Sequence, residues 1–566
     1  MISQSQAVGA DVQATALPGA RRWALGLALA VMTLSLLPYM LGFGRQGQDW
    51  RFTGFVFGVE DGNSYIAKMQ SSAAGAWLFR TPYTPYPQNG VVAYLPYLLL
   101  GKLAAPPGLH EQLVVLFHLF RIAAGCLAIL ASYDFISYFV KDERLRRYGL
   151  LLVTLGGGLG WILLVIGRST WLGWLPLEYF SPETFGFLQL YGIPHLALAR
   201  AAMLWGLLIY LKATSPGGHT GWKPASQTGL LWLLVAICQP MTAVIMGGLI
   251  GLHLLVLAGR NVYLRRHSET ADWSIWRNQL IFTLKAAMIP APLILYSLLA
   301  FSLDPFLKAW TAQNRIISPP IGHYLLAYGL MLVFVPLGAR HLLRRQPVSG
   351  WLLVAWVVAA PFLAYAPLNL QRRLVEGVWV ALVILGLWSV NVDGQGGVRW
   401  RTFLYTTLLI FPSTLILFGG GLRAGLRPSV PLFRPVQETR AFEELAAKSA
   451  PGDVVVSSYA TGNALPAWAP LRVVIGHGPE SAGLENLLPA VQRFYTKTTP
   501  DSERLQMIRE LNIRYVFYGP AEAELGDWNP AQAGYLQEII RQGPYIVYEV
   551  QPGWARGSGK SEFLFY

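Results

Sequence analysis

Long uninterrupted apolar runs limit this chain more than any other feature. Residues 23 to 43, 148 to 166, 279 to 301 and 402 to 420 each approach the roughly 20 apolar residues that a helix needs to cross a bilayer. Hydrocarbon offers no partner to a backbone amide or carbonyl, so segments of this length are expected to be helices that satisfy themselves. Composition points the same way. Only 13% of the 566 residues are charged, against about a quarter in a soluble domain, and 54% are hydrophobic.

The formal charge of +14 invites a nucleic-acid reading, but its distribution argues against one. The excess sits in short clusters between apolar runs: Arg21-Arg22, Lys141 to Arg147, Arg260 with Arg265-Arg266, and Arg340 with Arg344-Arg345. That is the positive-inside pattern of a membrane protein. No basic surface interleaved with stacking aromatics occurs, so nucleic acid is not an expected partner. Cys126 and Cys238 lie inside apolar runs and read as small hydrophobes rather than a disulfide or metal pair. The first span follows a polar tail (1–20) and shows no small-residue cleavage site, so it is expected to stay as an anchor.

The loops give a topology. Arg21-Arg22 put the N-terminus in the cytoplasm, and the first span delivers an outer loop, 44–90. The 13-residue apolar stretch Val91 to Leu103 is too short to span and reads as a juxtamembrane helix. Residues 112 to 139 return the chain to the basic loop at 141–147. Spans at 148 to 166 and 195 to 211 bracket a second outer loop, Arg168 to Pro194. Gln239-Pro240 interrupts 228–258, and Pro breaks a helical ladder, which favours a hairpin of two short spans; one span or two stays open. Further spans are expected at 279–301, 322–338, 348–367, 374–390 and 402–420.

The expected fold is therefore an all-α polytopic bundle of about eleven transmembrane helices over 21–425, in the plasma membrane. The odd count places a small C-terminal α/β domain, 430–566, on the extracytoplasmic side. Its strands are expected at 453–457, 472–475, 514–518 and 545–550, in a mainly parallel sheet, with helices at 436–449, 482–495, 501–511 and 530–541. Gly462 and Gly476 end strands, but no glycine-rich phosphate motif precedes a helix.

Three groups on the expected outer face can carry chemistry. Glu60-Asp61 opens a helical segment in which Tyr65, Met69, Ala73 and Trp77 recur at helical spacing, so the helix could lie on the membrane. Acid at a helix start is also a favoured cap that complements the dipole. Glu178, Glu183 and His195 of the second outer loop could orient a hydroxyl or bind a divalent cation, or be plain loop residues. Arg372-Arg373, with Arg315 as a weaker candidate, break the positive-inside bias. Arginine grips phosphate through two parallel hydrogen bonds, although charge at a span end is often mere snorkelling.

With these residues in place, the sequence resembles the GT-C class of integral-membrane glycosyltransferases. The likeness rests on the order of elements, on Glu60-Asp61 in the first outer loop, and on the stretches VEDGNSYIAKMQ and GAWLFRTPYTP. It covers roughly residues 20 to 420. The pair is ED rather than the commoner DE or DD, and QRRLVEG is not a class-wide signature. The resemblance implies a polyprenyl-phosphate-linked sugar donor drawn from membrane lipid. It implies Asp61 as base with Glu60 beside it, and Arg372 and Arg373 as phosphate contacts. Cofactors are left unknown, a divalent cation (Mg or Mn) being the open case.

The function expected is transfer of a hexosyl or pentosyl group to an acceptor of unknown identity at the cell envelope. The alternatives are a transporter or lipid flippase, or a non-catalytic relative. Transporters carry ionisable groups and broken helices near the bilayer midplane, whereas the polar groups here sit at the interfaces.

Overall fold

The computed structural model describes residues 18–267, 271–390 and 397–555, so all but the end of the expected tail 1–20 lies outside the described residues. The chain divides into two compact units. One takes Met1–Leu34, Arg121–Leu295 and Ile316–Phe418; the other takes Ser35–Phe120, Tyr296–Arg315 and Gly419–Tyr566. The sequence reading draws one boundary near 425–430; this division groups 35–120 and 296–315 with the C-terminal segment.

Among the described residues, six helices are long and apolar enough to cross a membrane: Gly19–Arg45, Leu109–Phe139, Pro194–Thr214, Pro240–Arg266, Pro347–Ala364 and Trp400–Leu426. Two further pairs, Trp273–Ala287 with Ala291–Leu303 and Ile321–Leu332 with Val335–Arg345, bend by 63° and 53° and bring the number to eight if each pair is one span. Pro290 and Pro336 lie at these breaks, where a missing amide and a ring clash end the helical ladder. The chain is a multi-pass membrane protein.

The expected number of about eleven is not reached by length and composition, for local reasons. Within 148–166, the helix Glu143–Leu155 stops at three consecutive glycines, and only the six-residue Gly160–Val165 follows. Within 374–390, a 3-10 turn Gln371–Val375 precedes an 11-residue helix, Val378–Trp388. Eleven residues rise about 16 Å, roughly half the hydrocarbon thickness. That helix is buried from Val378 to Leu387, as befits one that is apolar all round. At Gln239 the backbone is extended and the chain splits into Trp222–Cys238 and Pro240–Arg266, the break that Pro240 requires. Cys126 and Cys238 are free thiols.

The second unit is α/β. Strand β1 (Trp50–Phe52) pairs antiparallel with β2 (Phe433–Pro435), joining distant segments of the chain. A five-stranded sheet contains β3 (Val454–Val456), β4 (Arg472–Val473), β5 (Ile513–Tyr518), β6 (Leu536–Gln542) and β7 (Tyr545–Val550), in the order β4-β3-β5-β7-β6. β3 runs parallel to β4 and β5, but β7 is antiparallel to both β5 and β6. The sheet is therefore mixed rather than mainly parallel. The difference arises at 530–541, expected as a helix: a 3-10 turn Pro530–Gln532 leads into β6, and Gly543, at φ 57°, turns the chain back as a hairpin.

One sheet face, with Val455, Val473, Tyr515, Phe517 and Val547, shares a core with Phe55, Ile66, Tyr97 and Phe117 from the 35–120 segment. The other face buries Val454, Val456, Ile513 and Val516 beneath Val491, Phe494 and Ile508. Successive residues of β3 serve opposite cores, as the pleat dictates; in β5 Ile513 and Tyr515 serve opposite cores across the irregularity in its pairing with β3.

This packing corrects the expected surface helix. Val59–Ala73 is not laid on a membrane by one face: Gly62 through Gln70 are all buried, and Trp77 lies beyond its end and is exposed. The short helix Leu95–Gly101, within the stretch read as juxtamembrane, packs against it. Tyr65 and Tyr97 stack with ring centroids 4.6 Å apart.

Candidate functional site

The acidic pair occupies the first turn of the Val59–Ala73 helix. Gly58, in the left-handed region at φ 57°, starts the helix and brings no side-chain cap, so neither Glu60 nor Asp61 serves as the N-cap. Both still lie at the positive end of the helix dipole. The side chain of Asp61 is 57% exposed, and its Oδ1 lies 3.2 Å from Nε2 of His477, itself only 5% exposed. Glu60 accepts a hydrogen bond from the Tyr459 hydroxyl at 3.2 Å, and its carbonyl accepts one from the Asn463 amide at 3.4 Å.

Asp61, Ser64 and Lys68 follow one another at helical spacing and share a face. Below Asp61, that face meets Glu480. Lys68 and Glu480 form a buried ion pair at 2.6 Å, with side chains 0% and 4% exposed. Ser64 donates to the same carboxylate oxygen at 2.7 Å, and Thr81 to the other at 2.6 Å. Lys68 also reaches the Ser64 hydroxyl and lies 4.4 Å from the centre of the Tyr94 ring. Burial opposes the charge on Glu480, but the Lys68 ammonium, His477 and the hydroxyl donors outweigh it and hold the carboxyl below its ordinary range. The same carboxylate, after burial itself, helps to push the Tyr83 hydroxyl well up, and that ring lies 5.4 Å from the His477 ring.

The loop carrying His477 and Glu480 is fixed at several points. The Ser481 hydroxyl accepts from the amides of Gly476 and His477, while the Gln313 side chain donates to the carbonyls of Pro479 and Ser481. Two glycines allow the C-terminal arms to meet. A Cβ on Gly476 would stand 2.4 Å from the backbone of Gly462, and one on Gly462 would stand 2.1 Å from the carbonyl oxygen of Ile475. This close approach brings Tyr459 and Asn463 beside His477. The strand-end glycines thus serve packing at the acidic pair, not a phosphate loop.

The remaining sequence candidates are carried by other segments of the chain. Arg372 and Arg373 belong to the other unit, on the 3-10 turn Gln371–Val375. Arg373 stands 3.6 Å from the buried Glu183, and Arg372 lies over the Phe180 ring at 4.6 Å. Behind them, Arg200 forms a buried ion pair with Glu376, which also accepts from Gln189 at 2.9 Å; Arg200 further donates to the Glu183 carbonyl. Glu178 is buried and occupied by the Gly160 amide at 2.7 Å and the Ser413 hydroxyl at 3.0 Å, a packing role at the glycine break. His195 is buried in the first turn of Pro194–Thr214. Arg315 is exposed and falls in the second unit. Among the described residues no three His, Cys, Asp or Glu side chains are grouped to hold a metal ion. Glu480 itself is occupied by Lys68, Ser64 and Thr81.

Sequence reasoning missed His477, Glu480, Lys68 and Tyr459. The one basic residue of that helix, seven residues after Asp61, was the available signal; so was a histidine between two glycines just after a strand.

No protein-family model matches the sequence, and no curated protein matches it by sequence. Structures do match. The arabinofuranosyltransferase AftD from Mycobacteria aligns over 96% of this chain and 40% of its own, with TM-score 0.57 and 14% identity. ArnT from Cupriavidus metallidurans aligns over 94% of this chain and 100% of its own, with TM-score 0.52 and 12% identity. This is the GT-C fold. The archaeal oligosaccharyltransferase AglB from Archaeoglobus fulgidus, solved with an inhibitory peptide and a dolichol-phosphate, aligns over 94% of this chain and 74% of its own at TM-score 0.50 and 14% identity. The GT-C likeness thus extends past residue 420 and includes the C-terminal segment, which the sequence resemblance did not reach.

Proposed function

We propose that this protein is a membrane glycosyltransferase that moves a sugar from a polyprenyl-phosphate donor to an acceptor on the outer face of the membrane. The observation that carries this reading is Asp61. It is a half-exposed carboxylate at a helix N-terminus, held on one oxygen by a buried imidazole, in a chain with the GT-C fold. The AglB structure with dolichol-phosphate supports a lipid-phosphate carrier for the fold. In the reaction, the acceptor hydroxyl oxygen forms a bond to the anomeric carbon and its proton passes to Asp61. The bond from that carbon to the phosphate oxygen breaks, and its electron pair leaves with the phosphate. Arg372 and Arg373 are assigned to the departing phosphate, whose charge a guanidinium stabilises as it develops. The N-terminus is assigned to the cytoplasm and the C-terminal segment to the outer side, from the basic clusters.

The test uses purified protein in lipid nanodiscs with undecaprenyl-phosphate-linked pentoses and hexoses, read as undecaprenyl phosphate released by mass spectrometry. Asp61→Asn is expected to abolish release while leaving thermal unfolding nearly unchanged, since Asp61 is not the N-cap residue and its side chain is more than half exposed. Arg372→Ala is expected to raise the donor KM. Full activity in both variants overturns the assignment.

A further inference from the structure

The acidic pair of the first loop does not stand alone: two side chains some 400 residues later touch it, Tyr459 on Glu60 and His477 on Asp61. The histidine contact has the features of a built arrangement rather than a chance surface pair. The imidazole is 5% exposed, while Asp61 is 57% exposed. A buried ring that presents one nitrogen to a half-open carboxylate orients that carboxylate and leaves the rest of it accessible.

We propose that His477 is the positioning residue of the glycosyl-transfer site, donating its Nε2–H to Asp61 Oδ1 and so fixing the direction in which the carboxylate meets the acceptor hydroxyl. This inference rests on the reading of Asp61 as the proton acceptor.

The geometry determines which ring nitrogen bears the proton that meets Asp61. Asp61 Oδ1 is an acceptor, so the nitrogen facing it must carry the proton. Nδ1 is buried and has no hydrogen-bond partner among the described residues; Glu480 Oε1 stands 3.8 Å from it. Glu480 is immobile because Lys68, Ser64 and Thr81 occupy its oxygens. The Tyr83 ring covers the imidazole, and Tyr83 is itself tied by its hydroxyl to the Asn463 carbonyl at 3.1 Å. Backbone amides held by Ser481 fix the loop from the other side. Each group that would let the ring swing is restrained, so the C-terminal segment sets the aim of a residue in the first loop.

The consequence is a role for that segment in turnover rather than in covering the site. A carboxylate misdirected by about an ångström can cost on the order of a hundredfold in rate. Removing the donor is therefore expected to lower kcat and leave donor KM nearly unchanged, because His477 touches no part of the donor in this scheme.

The experiment compares His477→Ala, His477→Gln and Asp61→Asn in the nanodisc release assay, with thermal unfolding alongside. Gln can place an amide N–H where Nε2–H stands; Ala cannot. The expected result is a loss of about tenfold to a hundredfold in kcat for Ala, with donor KM within about twofold, and recovery of most of kcat by Gln at the same unfolding temperature. Equal loss in Ala and Gln, or no loss in Ala while Asp61→Asn is inactive, overturns the positioning role and leaves the reading of Asp61 standing. Activity in Asp61→Asn overturns that reading first. A second measurement needs no turnover: 15N NMR of histidine-labelled protein, with the His477 signals identified by their absence in His477→Gln. An Nε2–H tautomer whose shift moves in Asp61→Asn supports the proposal; an Nδ1–H tautomer, or a signal indifferent to Asp61, refutes it.

Discussion

Replacing Lys68 by methionine removes the ammonium that balances Glu480 while keeping a long flexible side chain in place. Both partners are essentially out of water, at 0% and 4% exposure, and their contact is 2.6 Å. Losing one ordinary hydrogen bond costs about 1 kcal/mol. Leaving a buried carboxylate without its partner costs about 3–5 kcal/mol, so the charge term decides the outcome. Ser64 and Thr81 still donate to Glu480, which points to the lower end. In soluble domains of 150–250 residues about 1 kcal/mol moves Tm by roughly 2–4 °C, so the expected drop is about 6 °C or more.

The pH dependence gives a sharper check. In the native protein the folded Glu480 carboxyl titrates below its unfolded value. Its contribution is therefore complete above the unfolded pKa, about 4.3, and is lost as pH falls through the lower folded value. In the methionine variant burial prevails and lifts the folded value above the unfolded one. The penalty is then complete at neutral pH and relieved as pH falls through the raised value. Thermal unfolding in nanodiscs should show the gap between Lys68→Met and the native protein narrowing from pH 7.5 to pH 5. A gap that stays constant, or a Tm change under 1 °C at pH 7.5, refutes the account of the pair as a buried, mutually dependent charge couple.

Two other substitutions probe the packing that supports the sites. Arg200→Met should lower thermal stability by about 3–5 kcal/mol, because it strands the buried Glu376; Arg200→Met with Glu376→Met should lose less than Arg200→Met alone, as measured by the same unfolding scan. Gly101→Ala would put a methyl 2.2 Å from the Met69 carbonyl oxygen, a backbone atom that cannot swing away, and should cost about 1–3 kcal/mol and reduce yield. Gly248→Ala, where nothing lies within 4 Å, is the control and should be neutral or slightly stabilising.

Membrane character was legible from apolar length alone, because the bilayer sets a minimum run that no soluble core demands. The break at Gln239-Pro240 was legible too, since proline states its effect locally. The glycine break at 156–158 and the shortness of Val378–Trp388 were not. An apolar run records where lipid or core is tolerated, not where the hydrogen-bond ladder stops. The hairpin at 536–550 misled for a related reason: Leu536, Ile539 and Ile540 fit a helical spacing as well as a strand, and Gly543 alone marks the turn. The site was half legible. Glu60-Asp61 stood out because acidic residues are scarce in this chain. His477 and Glu480 could not be joined to them, because the connection runs through a tertiary contact some 400 residues long.

Two carboxylates contact the same face of one helix, and their surroundings assign them different work. Glu480 is buried, matched by an ammonium and two hydroxyls, and held ionised, so it has no spare capacity for a substrate proton. Asp61, two turns nearer the helix start than Lys68, meets His477 on one oxygen, and its side chain is more than half exposed. A group that takes a proton during turnover must be reachable and must not already be neutralised by a fixed cation; a group that fastens a loop needs the opposite. His477 lies between the two, 3.2 Å from the open carboxylate and 3.8 Å from the buried one. The buried ion pair thereby fixes the loop whose imidazole aims Asp61, so a change at Lys68 should reach the rate as well as the stability of this protein.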